Sequence, residues 1–210
     1  MPGDTLAAMS KPLKVAAALL GGLLIASLIG GSATPASSPF TLKGQRVLLI
    51  GSSSAVGVGS KLKAMLETLG IATFQNIGVS GTFLSQWSDN STEVGRRLEA
   101  TLAEYQPAVV FVFVGSNDEA GGGSGTKAPA IERLHRKLQG TRSFFIGLPP
   151  HTNWTMNRPF RNLLIATWGA DYFNTEAVNP DKASDGFHLS STGYNQLLAA
   201  LLPWLQAKMR

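Results

Sequence analysis

The chain has 210 residues, of which 44% are hydrophobic and 15% are charged, with a net charge of +5 and no cysteine. This length suffices for one domain with a sizeable core, and the missing cysteine excludes a disulfide framework and a thiolate metal site. The basic residues are scattered along the chain. Small clusters at 96–97 and 133–137 lie in predicted helices, where we expect them to face solvent. We therefore expect no nucleic-acid partner.

The first 36 residues differ from the rest of the chain. Lys11 and Lys14 precede an apolar stretch at 15–29, and small residues follow it. A basic start, a short apolar run and a small-residue exit are typical of a secretory signal, which we expect to be cleaved after Ala33 or Ala36. The run is shorter than the ~18 residues of a spanning helix, and an uncleaved N-terminal membrane anchor is the alternative. Both interpretations place the domain outside the cytoplasm, in the periplasm or the extracellular space.

Residues 37–44 are a predicted linker, and 45–210 are a predicted domain in which apolar runs alternate with helical patterns. This alternation favours an α/β fold with a parallel sheet and helices on both faces. The run at 109–114 is apolar without alternation, as expected of a central parallel strand. Strands are predicted at 46–50, 71–77, 108–114, 142–147 and 171–174, and helices at 57–69, 92–105, 127–139, 157–168 and 190–207.

A serine-rich turn, Gly51-Ser52-Ser53-Ser54-Ala55-Val56-Gly57, joins the first predicted strand to the first predicted helix. Backbone N–H groups at a helix N-terminus are unpaired and attract an anion. The first intermediate of acyl transfer is an oxyanion, so the turn suits a serine nucleophile. Serine also caps helices, and this turn alone does not separate the two roles. The turn has neither the Gly-Lys-Ser/Thr of a phosphate-binding loop nor the spacing of a dinucleotide loop.

Three later stretches carry further polar residues at the ends of predicted elements. The stretch 76–82 and the stretch 115–118 each follow an apolar run, and the stretch 185–188 precedes the last predicted helix. Ligands bind at the carboxyl ends of the strands in such sheets. Ser53, Gly81 and Asn117 all fall just beyond predicted strand ends, so we expect them to meet at one edge of the sheet.

In this order, the four blocks resemble those of the SGNH hydrolases, also called the GDSL esterase/lipase family, over about residues 45 to 207. The resemblance implies a single three-layer α/β/α domain with a flavodoxin-like, five-stranded parallel sheet. It also implies a serine hydrolase that needs no metal and no cofactor. Ser53 would be the nucleophile, His188 the general base, and Asp185 the residue that orients the base.

The resemblance also assigns an oxyanion hole. Its donors would be the backbone N–H groups of Ser53 and Gly81 and the side-chain amide of Asn117. One position departs from the family pattern, because Ser52 stands where the family has an aspartate that is not the triad acid.

Two further residues, His151 and Trp154, follow the fourth predicted strand at the same edge. Both are candidates for the substrate pocket, and a surface loop with a structural tryptophan is the alternative.

The sequence thus predicts an exported serine esterase whose partner is a small-molecule, glycan or lipid ester, such as an O-acetyl glycan. An SGNH-type O-acyltransferase acting on an envelope glycan is one alternative, which a retained membrane anchor would favour. A non-catalytic binding protein on the same fold is another, which Ser52 favours. The four intact residues Ser53, Asn117, Asp185 and His188 speak against it. The oligomeric state is open.

Overall fold

The computed structural model describes residues 40–121, 127–152 and 155–209. The predicted signal or anchor at 1–36 lies outside these residues, and so does Trp154. Within the described ranges, the strands are β1 (Arg46–Gly51), β2 (Thr73–Asn76), β3 (Val109–Phe113), β4 (Arg142–Ile146) and β5 (Tyr172–Phe173). The α-helices are α1 (Ser53–Glu67), α2 (Leu84–Ser88), α3 (Glu93–Tyr105), α4 (Ser116–Ala120), α5 (Lys127–Lys137), α6 (Arg158–Trp168) and α7 (Ser191–Lys208).

All neighbouring strands are parallel, and their order is β2-β1-β3-β4-β5. Leu48 of β1, for example, is in register with Gln75 of β2 on one side and Val110 of β3 on the other. This is the predicted flavodoxin-like order, and the chain reverses its direction of growth between β1 and β3. The carboxyl ends of these two strands, where Gly51 pairs with Phe113, therefore form the crevice in which such folds bind ligands.

The central strand β3 is completely buried on both faces, which explains its unbroken apolar sequence. Val110 and Val112 point into one core cluster, which also contains side chains of α2, α3, α5 and α6. Phe111 and Phe113 point into the other, which also contains side chains of α1 and α7. The predicted three-layer α/β/α arrangement is confirmed.

Two boundaries differ from prediction near the first strand. Helix α1 begins at Ser53 instead of residue 57, since its first turn is made of small residues that carry no apolar periodicity. Residues 40–44 belong to the domain instead of forming a linker. Leu42 is fully buried, and the ring of Phe40 packs edge-on against Phe144 at 5.6 Å.

The short helices α2 and α4 were not predicted, because five residues are too few to display a helical period. Among the described residues, no helix is both long enough and apolar enough to cross a membrane.

Candidate active site

Ser53 lies at the first position of α1, two residues after the end of β1. The strand can close onto β3 at this point because Gly51 has no side chain. A Cβ built there would lie 2.0 Å from the Phe113 carbonyl oxygen, and the φ of Gly51 is +148°. The Ser52 N–H donates to that same oxygen at 3.1 Å. The close strand contact thus fixes the turn and holds the Ser53 hydroxyl at the carboxyl edge of the sheet.

His188 and Asp185 meet Ser53 from a loop 135 residues further along the chain. His188 Nε2 lies 2.9 Å from Ser53 Oγ, and His188 Nδ1 lies 2.6 Å from Asp185 Oδ2. The other carboxylate oxygen of Asp185 accepts the backbone N–H groups of Phe187 and His188, both at 2.9 Å. One short turn therefore orients both side chains toward the hydroxyl.

These contacts define the charge and the proton positions of the group. The hydrogen bond from His188, followed by the two backbone N–H groups, lowers the pKa of Asp185 to about 2. An ionised carboxylate can only accept, so Nδ1 of His188 carries the hydrogen. The lone pair of Nε2 then faces the Ser53 hydroxyl and can take up its proton. This arrangement has the chemical capacity to convert Ser53 into a nucleophile.

The segment that contains Gly81 lies against the serine turn. The Val79 N–H donates to the Gly51 carbonyl at 2.9 Å, and Asn76 Nδ2 donates to the Ala55 carbonyl at 3.1 Å. Gly81 has a φ of +78°, a left-handed conformation that glycine adopts without strain. The segment 76–81 is therefore bonded to the backbone both before Ser53, at Gly51, and after it, at Ala55.

Asn117 lies in the first turn of α4, at the end of β3. Its side-chain Nδ2 donates to the Thr82 carbonyl at 2.9 Å, directly beside Gly81. The three predicted donor positions thus occupy connected segments at one edge of the sheet. N–H groups at the edge of the sheet that carries a serine nucleophile can stabilise negative charge that develops there.

No protein-family model and no curated protein matches the sequence. Solved structures do resemble it. The lipase/acylhydrolase from Enterococcus faecalis has a TM-score of 0.61 at 17% identity and covers 79% of this chain and 97% of its own. A protein from Slackia heliotrinireducens assigned to the SGNH hydrolases has a TM-score of 0.59 at 15% identity. The match covers 78% of this chain and 100% of that protein. The family 3 carbohydrate esterase from Clostridium thermocellum has a TM-score of 0.57 at 19% identity. The match covers 79% of this chain and 99% of the esterase.

The chain has the fold of the SGNH hydrolases. In this SGNH fold, the predicted site residues Ser53, Asp185 and His188 form one hydrogen-bonded series. Gly81 and Asn117 lie on adjoining segments at the same edge of the sheet.

His151 follows β4 as predicted, but its side chain is buried. Its side chain has no solvent-accessible surface, and its Nε2 lies 3.3 Å from Glu119 Oε2. In this conformation, His151 cannot touch a substrate as a pocket-lining residue. The carboxylate that binds it is 32 residues away in sequence, which is why the pattern around His151 alone did not reveal its burial. Trp154 lies outside the described residues.

The sequence analysis did not identify two charged residues near the site, Glu119 of α4 and Arg161 of α6. They form a bidentate ion pair with two N–O distances of 2.7 Å, and neither side chain is accessible to solvent. A signal was present, because Arg161 lies three residues before Leu164 on the apolar face of α6. A charged residue at such a position indicates a buried partner.

Burial alone would raise the pKa of Glu119, but the hydrogen bonds from Arg161 and His151 outweigh it and lower the pKa to about 2.

The described parts of the chain contain no group of three or more His, Cys, Asp or Glu side chains that could hold a metal ion.

Proposed function

We propose that this protein is an SGNH hydrolase, a serine esterase that cleaves a carboxylic ester through an acyl-enzyme intermediate. The observation that carries the proposal is the hydrogen-bonded series from Asp185 through His188 to Ser53, with distances of 2.6 and 2.9 Å. A carboxylate, an imidazole and a hydroxyl in this sequence form the arrangement that activates serine in acyl transfer. A protein that only binds its ligand would have no use for this alignment.

In the first half of the reaction, Ser53 Oγ attacks the ester carbonyl carbon while its proton passes to His188 Nε2. The carbonyl oxygen becomes negatively charged, and the N–H groups of Ser53 and Gly81 and the amide of Asn117 stabilise it. Asp185 stabilises the imidazolium that forms. When the carbon–oxygen bond to the alcohol breaks, His188 returns the proton to the leaving alkoxide, and the acyl group stays on Ser53.

In the second half, water replaces the alcohol. His188 takes one proton from the water as its oxygen attacks the acyl carbon, and the same donors stabilise the second oxyanion. The bond to Ser53 Oγ then breaks, His188 returns the proton to Ser53, and the carboxylic acid leaves. The protein is restored with every proton accounted for.

The substrate class that we propose is an O-acetyl glycan or a lipid ester outside the cytoplasm. The predicted export signal and the esterase and acylhydrolase relatives of this fold support it. The exposure of the pair supports it as well, because 39% of the His188 side chain and 48% of the Asp185 side chain are accessible. An open site of this kind admits an ester group that is attached to a large polymer.

The test is hydrolysis of p-nitrophenyl esters of increasing acyl length by the purified protein. Ser53→Ala is the inactivating variant, and Ser60→Ala, which changes an exposed serine of the same helix, is the matched control. We expect turnover by the parent and by Ser60→Ala, and none by Ser53→Ala. The chain-length profile separates an acetylesterase from a lipase. A folded parent that hydrolyses no ester in the series would contradict the proposal.

The acyltransferase alternative is distinguished by the product. An acetylated glycan donor is supplied together with an unacetylated glycan acceptor, and both products are measured by mass spectrometry. Free acetate identifies a hydrolase, whereas a newly acetylated acceptor identifies a transferase.

A further inference from the structure

A buried charged cluster lies behind the site, formed by Glu119 and Arg161. Besides its two bonds to Glu119, the Arg161 guanidinium donates to the Leu148 carbonyl at 2.6 Å and to the Pro149 carbonyl at 3.1 Å. A buried ion pair is tolerated only where additional hydrogen bonds satisfy its remaining groups. The pair therefore holds the segment after β4, and this segment leads directly to His151.

His151 connects this cluster to the loop that carries the proposed base. One edge of its ring faces Glu119, with Nε2 at 3.3 Å from Oε2. Its flat face stacks on the ring of Phe187, with centroids 5.1 Å apart and planes inclined by 20°. Phe187 in turn meets the ring of His188 edge-on, with centroids 4.7 Å apart and planes at 80°. Three rings thus stand in contact, with the first bound to a buried carboxylate.

The two loops are also joined through their backbones. The N–H and the hydroxyl of Thr152 both donate to the Gly186 carbonyl, each at 3.2 Å. The contact between the rings of His151 and Phe187 therefore connects segments that already lie side by side.

We propose that His151 is a positioning residue for His188. Held by Glu119, its ring supports Phe187, and Phe187 restricts the rotation of the His188 ring. This inference rests on the proposed function, in which His188 is the base.

The physical need for such support follows from the exposure of the base. The torsion that turns an imidazole ring has a broad energy minimum, and 39% of the His188 side chain faces solvent. The bond to Asp185 holds one ring nitrogen but allows the ring to pivot about that bond. A packed ring on its flank limits this pivot and keeps Nε2 facing Ser53. Displacement of a reacting group by about 1 Å can cost roughly 100-fold in rate.

The kinetic test compares His151→Ala, His151→Phe and the control His135→Ala. His135 lies on α5, and its ring packs against Trp168, away from the three-ring contact. We expect kcat of His151→Ala to fall by about 10- to 100-fold with KM unchanged. His151→Phe, which keeps a flat ring against Phe187, should recover most of kcat, and His135→Ala should match the parent.

Several outcomes would overturn the proposal. If His151→Phe is as slow as His151→Ala, ring packing does not transmit the effect. If KM rises while kcat is unchanged, the residue acts on substrate binding. Should His151→Ala fail to fold, Phe187→Leu tests the same contact. It removes the ring that touches His188 but keeps an apolar side chain, and a kcat equal to that of the parent would overturn the proposal.

A second readout needs no substrate. The hydrogen on Nδ1 of His188 lies in a short bond to Asp185 and should give a far-downfield proton resonance in NMR spectra. We expect this resonance to be sharp in the parent, in Ser53→Ala and in His151→Phe, and to be broadened in His151→Ala as the ring pivots and exchanges with water.

The two readouts separate the two proposals. If the parent hydrolyses no ester but the resonance changes as expected, positioning by His151 stands and the esterase assignment fails. If the parent is active but the resonance is equally sharp in His151→Ala, the assignment stands and positioning fails.

Discussion

The side-chain amide of Asn117 donates a hydrogen bond to the backbone carbonyl of Thr82, with a nitrogen–oxygen distance of 2.9 Å. This bond joins the loop after β2 to the first turn of α4. It occupies one of the two N–H groups of the amide and fixes the plane of the group. The second N–H is the one that we assign to the oxyanion.

Replacement of Asn117 by alanine removes this donor and leaves the charge of the site unchanged. We expect kcat for p-nitrophenyl acetate to fall by about 10²- to 10³-fold, since loss of one oxyanion donor has this effect in other acyl-transfer enzymes. The control is Asn162→Ala, which changes an exposed asparagine of α6. A kcat within twofold of the parent would remove Asn117 from the oxyanion hole.

Replacement of Asp185 by asparagine tests the orientation of the base. The amide can present an N–H to Nδ1 in place of an acceptor, which favours the tautomer with the hydrogen on Nε2. We expect kcat to fall on the order of 10⁴-fold. Asp171→Asn changes an aspartate that pairs with Arg142, the first residue of β4. This pair lies at the amino end of the strand, and the variant should leave kcat unchanged. A loss of less than tenfold for Asp185→Asn would contradict the triad.

Glu119→Gln should change the response of stability to acid. The folded-state pKa of Glu119 is about 2 and its ordinary value is 4.5, so below pH 5 the unfolded chain binds more protons at this residue. The stabilisation from its ionised form is therefore present above pH 5 and is lost as the pH falls toward 2. The variant should be less stable at pH 7 by about 3–5 kcal/mol and should lose less further stability in acid.

Urea unfolding at pH 7 and pH 3 measures both effects of Glu119→Gln. Glu132→Gln is the control, because its carboxylate is exposed and lies 3.9 Å from Arg136. If Glu119→Gln and the parent lose equal stability between the two pH values, the carboxylate of Glu119 is not the source of the acid response.

Ser52→Ala should leave stability at pH 7 unchanged or slightly raise it. Ser52 is the N-cap of α1 and is completely buried. Its hydroxyl makes no capping bond, and within the described residues it has no hydrogen-bond partner. Ser190 is the N-cap of α7, and its hydroxyl accepts the Gly193 N–H at 2.9 Å. Ser190→Ala should therefore cost about 1 kcal/mol. Equal losses for the two variants in urea unfolding would contradict this distinction.

The central strands β1 and β3 were predictable from the sequence because each contains an unbroken apolar run. A parallel strand that is covered on both faces must be apolar throughout, as in Val109–Phe113, and a glycine or a polar residue follows where it leaves the core. The site blocks were predictable for a related reason. The positions of Ser53 and Asn117 follow from the ends of their strands, and strand ends are visible in the sequence.

What was missed depends on contacts between distant residues. His151 is buried against Glu119, and Glu119 is paired with the buried Arg161 and also accepts the Asn157 N–H. No local period encodes contacts among three side chains that lie so far apart in sequence. The start of α1 was missed because Ser53 and Ser54 carry no apolar pattern, and the packing of Leu42 was missed because its partners lie in other elements.

Asp185 and His188 are three residues apart, whereas Ser53 is 135 residues away from His188. The proposed acid and base therefore lie on one short segment, which leads into α7. Loss of this segment from the domain would remove both at once, and the proposed nucleophile and oxyanion donors would remain in place. On the proposed mechanism, ester hydrolysis should therefore appear and disappear with the docking of this segment beside Ser53.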